Sequence, residues 1–160
     1  MRKTLALLLA MILLPLSAAG AETLPASPLL GTWTVDVSRL PVPAEVRPKS
    51  VTITFSEEGG GKWTTRVEII SNDGSARRMT SKYSLDGVSV PIVGDSMESD
   101  SVAVRMPVPD VMVLALAKGS TPASTRVYTV AHDGHDMVET AVYFDDSKAV
   151  MRTNYFSRVQ

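Results

Sequence analysis

The chain of 160 residues contains no cysteine. A disulfide framework and a lipid-modified cysteine are therefore excluded, and a folded domain must depend on its hydrophobic core alone. Cysteine is also missing as a catalytic nucleophile and as a thiolate ligand for a metal ion.

Clusters of charge of one sign are also scarce. The sequence carries 16 basic and 17 acidic residues, a net charge of −1, and no long run of either sign. Because nucleic acids and anionic membrane surfaces bind through clusters of lysine and arginine, neither is an expected partner. The basic pair Arg77-Arg78 is interpreted as part of a solvated strand face.

No hydrophobic run reaches the length of about 20 residues that a transmembrane helix needs. Residues 5–16 form a shorter apolar run, which follows a basic start at residues 1–3 and precedes the small-residue pattern Ala19-Gly20-Ala21. This arrangement is typical of a secretory signal peptide, residues 1–21, with cleavage after Ala21. We therefore expect a periplasmic or secreted protein without stable membrane insertion.

The chain after the predicted cleavage site fits a single domain. Residues 22–30 contain Pro25 and Pro28 and are predicted to be a flexible N-terminal segment. Residues 31–160 are enough for one domain with a core and too few for two.

Sustained helical periodicity is absent, and the chain consists of short alternating runs separated by turn residues. In one run, Val51, Ile53 and Phe55 alternate with threonines. The pattern predicts an all-β fold, most simply an up-and-down antiparallel barrel of eight to ten strands, because closure removes exposed sheet edges. A two-sheet β-sandwich is the structural alternative.

Prolines indicate the structure of two segments of the chain. Residues 38–48 contain Pro41, Pro43 and Pro48, which predicts a loop there and not a helix. Pro91 interrupts a short apolar run, which predicts a strand at a sheet edge because proline lacks the backbone donor.

Residues 111–117 contain no charge and are apolar on both faces of a predicted strand. The outward face must then be covered by the chain itself or by a partner, or must form a lip that faces a ligand. A homodimer through residues 111–117 is one interpretation.

The first predicted strand begins with Gly31, Thr32 and Trp33. These residues resemble the Gly-x-Trp opening of the calycins, which include the lipocalins and the fatty-acid-binding proteins. Residues 48–54, Pro-Lys-Ser-Val-Thr-Ile-Thr, resemble the second strand of small exported bacterial lipocalin-like domains. The resemblance implies a lipocalin-like barrel, and in strand order it extends over residues 29–159.

The resemblance also implies roles for particular residues. In the family the signature tryptophan closes the barrel floor and packs under an arginine from the end of the barrel, so Trp33 is expected to contact Arg152 or Arg158. Fatty-acid-binding proteins hold a ligand carboxylate with an Arg-x-Tyr pair, which Arg126 and Tyr128 resemble.

Strand geometry places Arg126 and Tyr128 on the same face. If that face points inward, the pair would anchor a ligand carboxylate; if it points outward, both side chains are solvated. An inward Arg126 without a carboxylate would be unfavourable, because a buried charge needs a partner.

The candidate ligand-binding residues combine this pair with aromatic and sulfur side chains that would line an apolar pocket. They are Trp33, Trp63, Tyr83, Met106, Arg126 and Tyr128. The same apolar side chains could instead fill the barrel as ordinary core, so lining and filling both stay open.

The two histidines of the chain, His132 and His135, flank Asp133-Gly134. With Asp136 they offer the donors of a metal site, and they are also the only candidates for imidazole catalysis. Asp-Gly, however, also favours an ordinary hairpin turn, and there is no third histidine to complete a metal site.

Three acidic residues, Asp95, Glu98 and Asp100, lie close together in a polar segment. They lack the ligand spacing of a calcium loop and are interpreted as a solvated loop.

The sequence therefore favours an exported calycin-like barrel that binds or carries a small hydrophobic or amphipathic ligand without a cofactor. The alternative is a structural or protein-interaction barrel with a filled interior. An enzyme is not expected, because no nucleophile elbow or cysteine is present.

Overall fold

The structure is a computed structural model that describes residues 26–145 and 148–159. These residues form ten antiparallel strands. The strands are β1 (Gly31–Val35), β2 (Ser50–Gly59), β3 (Lys62–Ile70), β4 (Ala76–Ser84), β5 (Val90–Gly94), β6 (Ser101–Val108), β7 (Val111–Lys118), β8 (Thr121–Val130), β9 (Asp136–Asp145) and β10 (Lys148–Arg158). The predicted signal peptide and its cleavage site lie outside the described residues.

Each strand pairs with the strands before and after it in sequence, and β1 pairs with β10 to close the barrel. Where β1 joins its two neighbours, Trp33 lies opposite Ile53 of β2 and Arg158 of β10. The predicted up-and-down antiparallel barrel is confirmed, and the β-sandwich alternative is wrong. Closure pairs the backbone groups of the first and last strands, which a sandwich would leave at sheet edges.

Alternate side chains of each strand point into the barrel and form its core. Three aromatic rings pack there edge to face: the centroid of Tyr128 lies 5.6 Å from that of Phe55 and 6.0 Å from that of Phe156. Ile53 and Met112, which are 4% and 0% exposed, are typical of the aliphatic and sulfur side chains around these rings.

The floor of the barrel is built around Trp33, which is fully buried. Its indole Nε1 donates a hydrogen bond of 2.9 Å to the carbonyl oxygen of Leu29. The Arg158 guanidinium lies over the ring, 4.1 Å from its centroid. Of the two arginines that the resemblance offered, Arg158 therefore takes this position; Arg152 instead lies 5.1 Å from the ring of Tyr143.

Arg158 also ties the N-terminal segment to the barrel. Its Nη1 donates to the Leu30 carbonyl at 2.7 Å, its Nη2 donates to that of Pro28, and its Nε donates to that of Gly134 at 2.7 Å. Gly31 leaves room for this guanidinium, because a Cβ there would lie 2.8 Å from Nη1, and its φ of +115° also favours glycine.

Part of the segment predicted to be flexible is packed against the barrel. Leu29 is fully buried, and the Ser27 hydroxyl donates to the Pro109 carbonyl at 2.5 Å. Residues 27–30 thus make specific contacts with the barrel, and the flexibility expected of the segment 22–30 stays a prediction.

The proline-rich connection between β1 and β2 contains two short 3-10 turns, Val37–Arg39 and Ala44–Val46, in an otherwise irregular segment. This agrees with the predicted loop. The edge position predicted for Pro91 is wrong, because β5 pairs with both β4 and β6. The pairing of β5 with β6 is short, at Val90–Val102 and Pro91–Ser101.

Candidate ligand cavity

A cavity of about 260 Å³ occupies part of the barrel interior. Its wall is mostly apolar and is formed by side chains of seven strands, β2 to β8. The apolar lining residues are Val51, Ile53, Val67, Ile69, Met79, Ile92, Val102, Leu114 and Leu116. The connection from β5 to β6 contributes Ser96, Met97, Glu98 and Ser99, and we call residues 95–100 the mouth loop.

Arg126 and Tyr128 both point inward from β8 and line the cavity. The outward, solvated alternative is therefore wrong for this pair. The reason lies in the partners of the guanidinium: Arg126 makes ion pairs with Glu139, at 3.0 Å, and with Glu98. Two carboxylates thus compensate for the burial of the arginine.

Glu139 of β9 is the buried centre of this cluster, with 2% of its surface exposed. Its Oε1 accepts hydrogen bonds from Arg126 Nη1 at 3.0 Å and from the Tyr128 hydroxyl at 2.6 Å. Its Oε2 accepts a hydrogen bond from the Asn154 amide. Sequence reasoning missed Glu139, although its position between Met137 and Ala141 on the inward face of β9 was a usable signal.

Glu98 of the mouth loop completes the cluster. Its Oε2 accepts a hydrogen bond from Arg126 Nη2, and its Oε1 accepts one from the Ser124 hydroxyl. The side chain of Glu98 is 33% exposed. The interpretation of this residue as part of a solvated loop is therefore wrong, because the loop folds inward and its carboxylate meets the buried guanidinium.

Burial and these contacts shift the pKa values of Arg126 and Tyr128. Burial alone would lower the pKa of Arg126, but the oxygens of Tyr128, Glu139, Tyr143 and Glu98 together raise it by more, so the net shift is upward. Burial, reinforced by the negative charge of Glu139, raises the pKa of Tyr128 well above its ordinary value. The guanidinium is therefore charged and the phenol neutral at physiological pH.

A second polar group, the Tyr83 hydroxyl, lies deeper in the core. It shares a hydrogen bond of 2.6 Å with the Thr65 hydroxyl and donates to Met112 Sδ at 3.7 Å. Burial raises the pKa of Tyr83 to about 12. Only the Thr65 member of this pair lines the cavity.

The stability of the barrel is expected to fall at alkaline pH because of Tyr83. A raised pKa in the folded state means that the contribution is complete below the unfolded value of about 10 and is lost as pH rises through about 12. Over that range Tyr83 contributes a loss of about 2 kcal/mol in the free energy of unfolding, in addition to the loss that Tyr128 contributes. Urea titrations across the range should show this loss, and Tyr83→Phe should reduce it. An equal decline in both proteins would contradict the assignment.

The other predicted ligand-binding residues occupy the core beside the cavity. Trp33, Trp63 and Tyr83 are 0%, 4% and 2% exposed, and Met106 is half-buried against the same cluster. None of the four is among the side chains that line the cavity, whereas Arg126 and Tyr128 are. The structure thus brings the Arg-x-Tyr pair to the cavity and uses the remaining four as packing around it.

The histidine turn lies at an exposed hairpin tip between β8 and β9. Asp133 Oδ1 accepts a hydrogen bond of 2.9 Å from the backbone N–H of His135 and caps the turn. Over residues 26–145 and 148–159, no group of three or more histidine, aspartate or glutamate side chains is placed to hold a metal ion. The geometry of His132 and His135 is that of a polar turn.

The apolar segment 111–117 lies in β7, where alternate side chains point to opposite faces of the sheet. Met112 and Leu114 point into the barrel and are 0% and 6% exposed, whereas Val113 and Ala115 point outward. Cross-strand neighbours cover part of that outward face. Homodimerisation through this segment stays a prediction.

An uncharged row crosses the outer wall in register with Ala115. It runs over strands β6 to β10 through Ala103, Ala115, Thr125, Val142 and Met151.

In the part of the chain that the structure describes, no helix is long and apolar enough to span a membrane.

Comparison with solved structures identifies the fold. The fatty-acid-binding protein 1 of Echinococcus granulosus is 20% identical with a TM-score of 0.55, and the match covers 83% of this chain and 98% of that protein. Zebrafish ileal bile acid-binding protein, solved with cholic acid, is 14% identical with a TM-score of 0.54 over 83% of this chain and 100% of that one. The fluorescent protein UnaG is 18% identical with a TM-score of 0.55, over 81% and 96% of the two chains.

At these identities the likeness establishes the lipocalin and fatty-acid-binding-protein type of barrel as the fold of this chain. No family model and no curated protein matches the sequence.

Proposed function

We propose that this barrel binds a small hydrophobic or amphipathic molecule in its interior and performs no chemistry on it. The observation that carries the proposal is the 260 Å³ cavity, with its apolar wall and its inward-facing polar cluster around Arg126. Ligand sites typically combine an apolar lining with a few polar groups that orient the ligand. Two of the structural neighbours, named as binding proteins for fatty acids and bile acids, support the same function.

The volume limits the size of the ligand. Ligand pockets usually measure about 300–1,000 Å³, and a cavity of about 150 Å³ holds benzene. By that scale 260 Å³ accommodates on the order of ten non-hydrogen atoms. A short-chain or single-ring molecule fits, whereas a long-chain fatty acid or a sterol-sized molecule exceeds the space.

The cavity also favours a container over the filled barrel that was the alternative. A barrel of this type that serves only as a scaffold needs no internal space, because a close-packed interior is more stable. The buried charges argue the same way, since an apolar core would avoid the desolvation of Glu139 and Arg126.

Export of the protein is the second part of the proposal. Its support is the basic start, the apolar run of residues 5–16 and the small-residue pattern that ends at Ala21. N-terminal sequencing of the protein from its own host should find Glu22 as the first residue. An N-terminus that retains residues 1–21 would contradict export.

Calorimetric titration with n-octanol, an uncharged molecule of suitable size, tests the binding function. We expect saturable binding with one molecule per barrel. Val67→Phe, which places a larger side chain in the cavity, should weaken binding at least tenfold, about 1.4 kcal/mol.

The matched control is Val127→Phe, because Val127 lies next to Arg126 on the opposite, outward face of β8. This variant should bind octanol as the unmodified protein does. If Val67→Phe and Val127→Phe weaken binding equally, or if nothing binds, the internal site is contradicted.

A further inference from the structure

We infer that Glu98 occupies the position on Arg126 that a ligand carboxylate would take, so that the cavity excludes acids and selects small uncharged molecules. This inference rests on the proposed binding function and names its ligand class. It makes Glu98, on the mouth loop, the residue that determines specificity.

The guanidinium of Arg126 already has hydrogen-bond acceptors within the protein. Its Nη1 donates to Glu139, its Nη2 donates to Glu98 and contacts the Tyr143 hydroxyl at 3.5 Å, and its Nε contacts the Ser124 hydroxyl at 3.4 Å. Each of the three guanidinium nitrogens therefore has a partner before any ligand enters. An incoming carboxylate would have to displace Glu98.

Both oxygens of each carboxylate already have donors, which disfavours a cationic ligand. Both oxygens of Glu98 accept hydrogen bonds, from Arg126 and from Ser124. Both oxygens of Glu139 do so as well, with Tyr128 and Asn154 as further donors. An ammonium group would therefore compete with donors that are already in place.

The charges around the cavity also sum to zero. Arg77 and Arg126 are the positive lining residues, Glu98 is the negative one, and Glu139 lies directly behind Arg126. Arg77 lines the cavity beside the mouth loop, where its Nη1 contacts Met97 Sδ at 2.7 Å. Any charged ligand would therefore bring an uncompensated charge into a partly buried site, which is unfavourable.

A hydroxyl group, by contrast, finds partners without displacing anything. The Tyr128 hydroxyl donates to Glu139 and keeps oxygen lone pairs as acceptors beside the cavity. The hydroxyls of Thr65 and Ser81 also line the wall. The polar groups of the cavity thus suit an alcohol or another neutral molecule.

Glu98 lies in a loop, where its replacement is not expected to disturb the strands of the barrel. It comes from the mouth loop and is 33% exposed, whereas Glu139 comes from a strand and is 2% exposed. Replacement of Glu98 is therefore expected to change the ligand preference while the barrel stays folded.

Three ligands of equal chain length test the inference by calorimetry at neutral pH: n-octanol, octanoate and octylammonium. The unmodified protein should bind octanol at least tenfold more tightly than either ion. Glu98→Ala should increase octanoate affinity at least tenfold and change octanol affinity less than threefold. Glu98→Gln, which keeps the side-chain shape, should give a smaller increase and provides a second variant.

The matched control is Glu68→Ala. Glu68 lies on the outer wall in an exposed pair with Arg78, so its loss removes the same charge without touching the cavity. Octanoate affinity should not change in this variant. If all three ligands bind equally, or if Glu68→Ala and Glu98→Ala act alike, the inference fails and the binding function stands. If none of them binds, both fail.

Discussion

Replacement of Glu139 by alanine is expected to lower the free energy of unfolding by about 4 kcal/mol, because it removes one partner of a buried ion pair. The change would leave Arg126 Nη1, the Tyr128 hydroxyl and the Asn154 amide without the acceptor that they share. Buried donors without acceptors retain the full penalty of their desolvation. Urea denaturation of the purified variant measures the loss.

Two further variants make this test specific. Glu68→Ala removes a carboxylate from an exposed ion pair and should change stability by less than about 0.5 kcal/mol. The double variant Arg126→Met/Glu139→Leu removes the buried ion pair and should recover the part of the loss that comes from the uncompensated Arg126 charge, whereas the Tyr128 and Asn154 donors still lack their acceptor. A loss in Glu139→Ala no larger than that in Glu68→Ala would contradict the buried cluster.

Replacement of Arg158 by methionine is expected to destabilise the barrel by about 3 kcal/mol. The guanidinium donates to the carbonyl oxygens of Pro28, Leu30 and Gly134, and it covers the ring of Trp33. Methionine keeps much of the apolar contact and removes the donors, so the loss measures the polar part of the floor. Thermal and urea unfolding both report it.

Arg152→Met is the matched control on the same strand. Arg152 is exposed, and its guanidinium lies 5.1 Å from the centroid of the Tyr143 ring. Its replacement should change the free energy of unfolding by less than about 0.5 kcal/mol. Equal losses in the two variants would show that the floor does not depend on Arg158.

The barrel could be predicted from the sequence because its strands alternate clearly. In β2, Ile53 and Phe55 are buried, whereas Thr52 and Thr54, which alternate with them, are only half-buried, as the pattern indicated. The choice between Arg152 and Arg158 could not be made in this way. Both lie on the same face of β10, and only the register of β1, which places Trp33 opposite Arg158, distinguishes them.

The cavity cluster was predictable only in part. A period of two places Arg126 and Tyr128 together, but their direction depends on partners that are distant in sequence. Glu139 lies 13 residues beyond Arg126 and is brought beside it by the pairing of β8 with β9. Glu98 lies 28 residues before Arg126 in an irregular loop, where no periodicity indicates which way a side chain points.

The histidines show the opposite error, in which nearness in sequence suggests a site. His132 and His135 are close because they belong to one exposed hairpin turn. A polar turn of this kind needs only its Asp-Gly sequence, and the strands carry the cluster that lines the cavity.

The barrel is proposed to hold a small uncharged molecule inside the cavity beside Arg126. Methyl NMR spectra recorded during an n-octanol titration test it most directly. We expect saturable shifts at the lining methyl groups of Val67, Leu114 and Leu116, with the methyl groups of Val127 and Val142 on the outer wall unchanged. Shifts confined to the outer wall, or no shift at the lining groups, would contradict it.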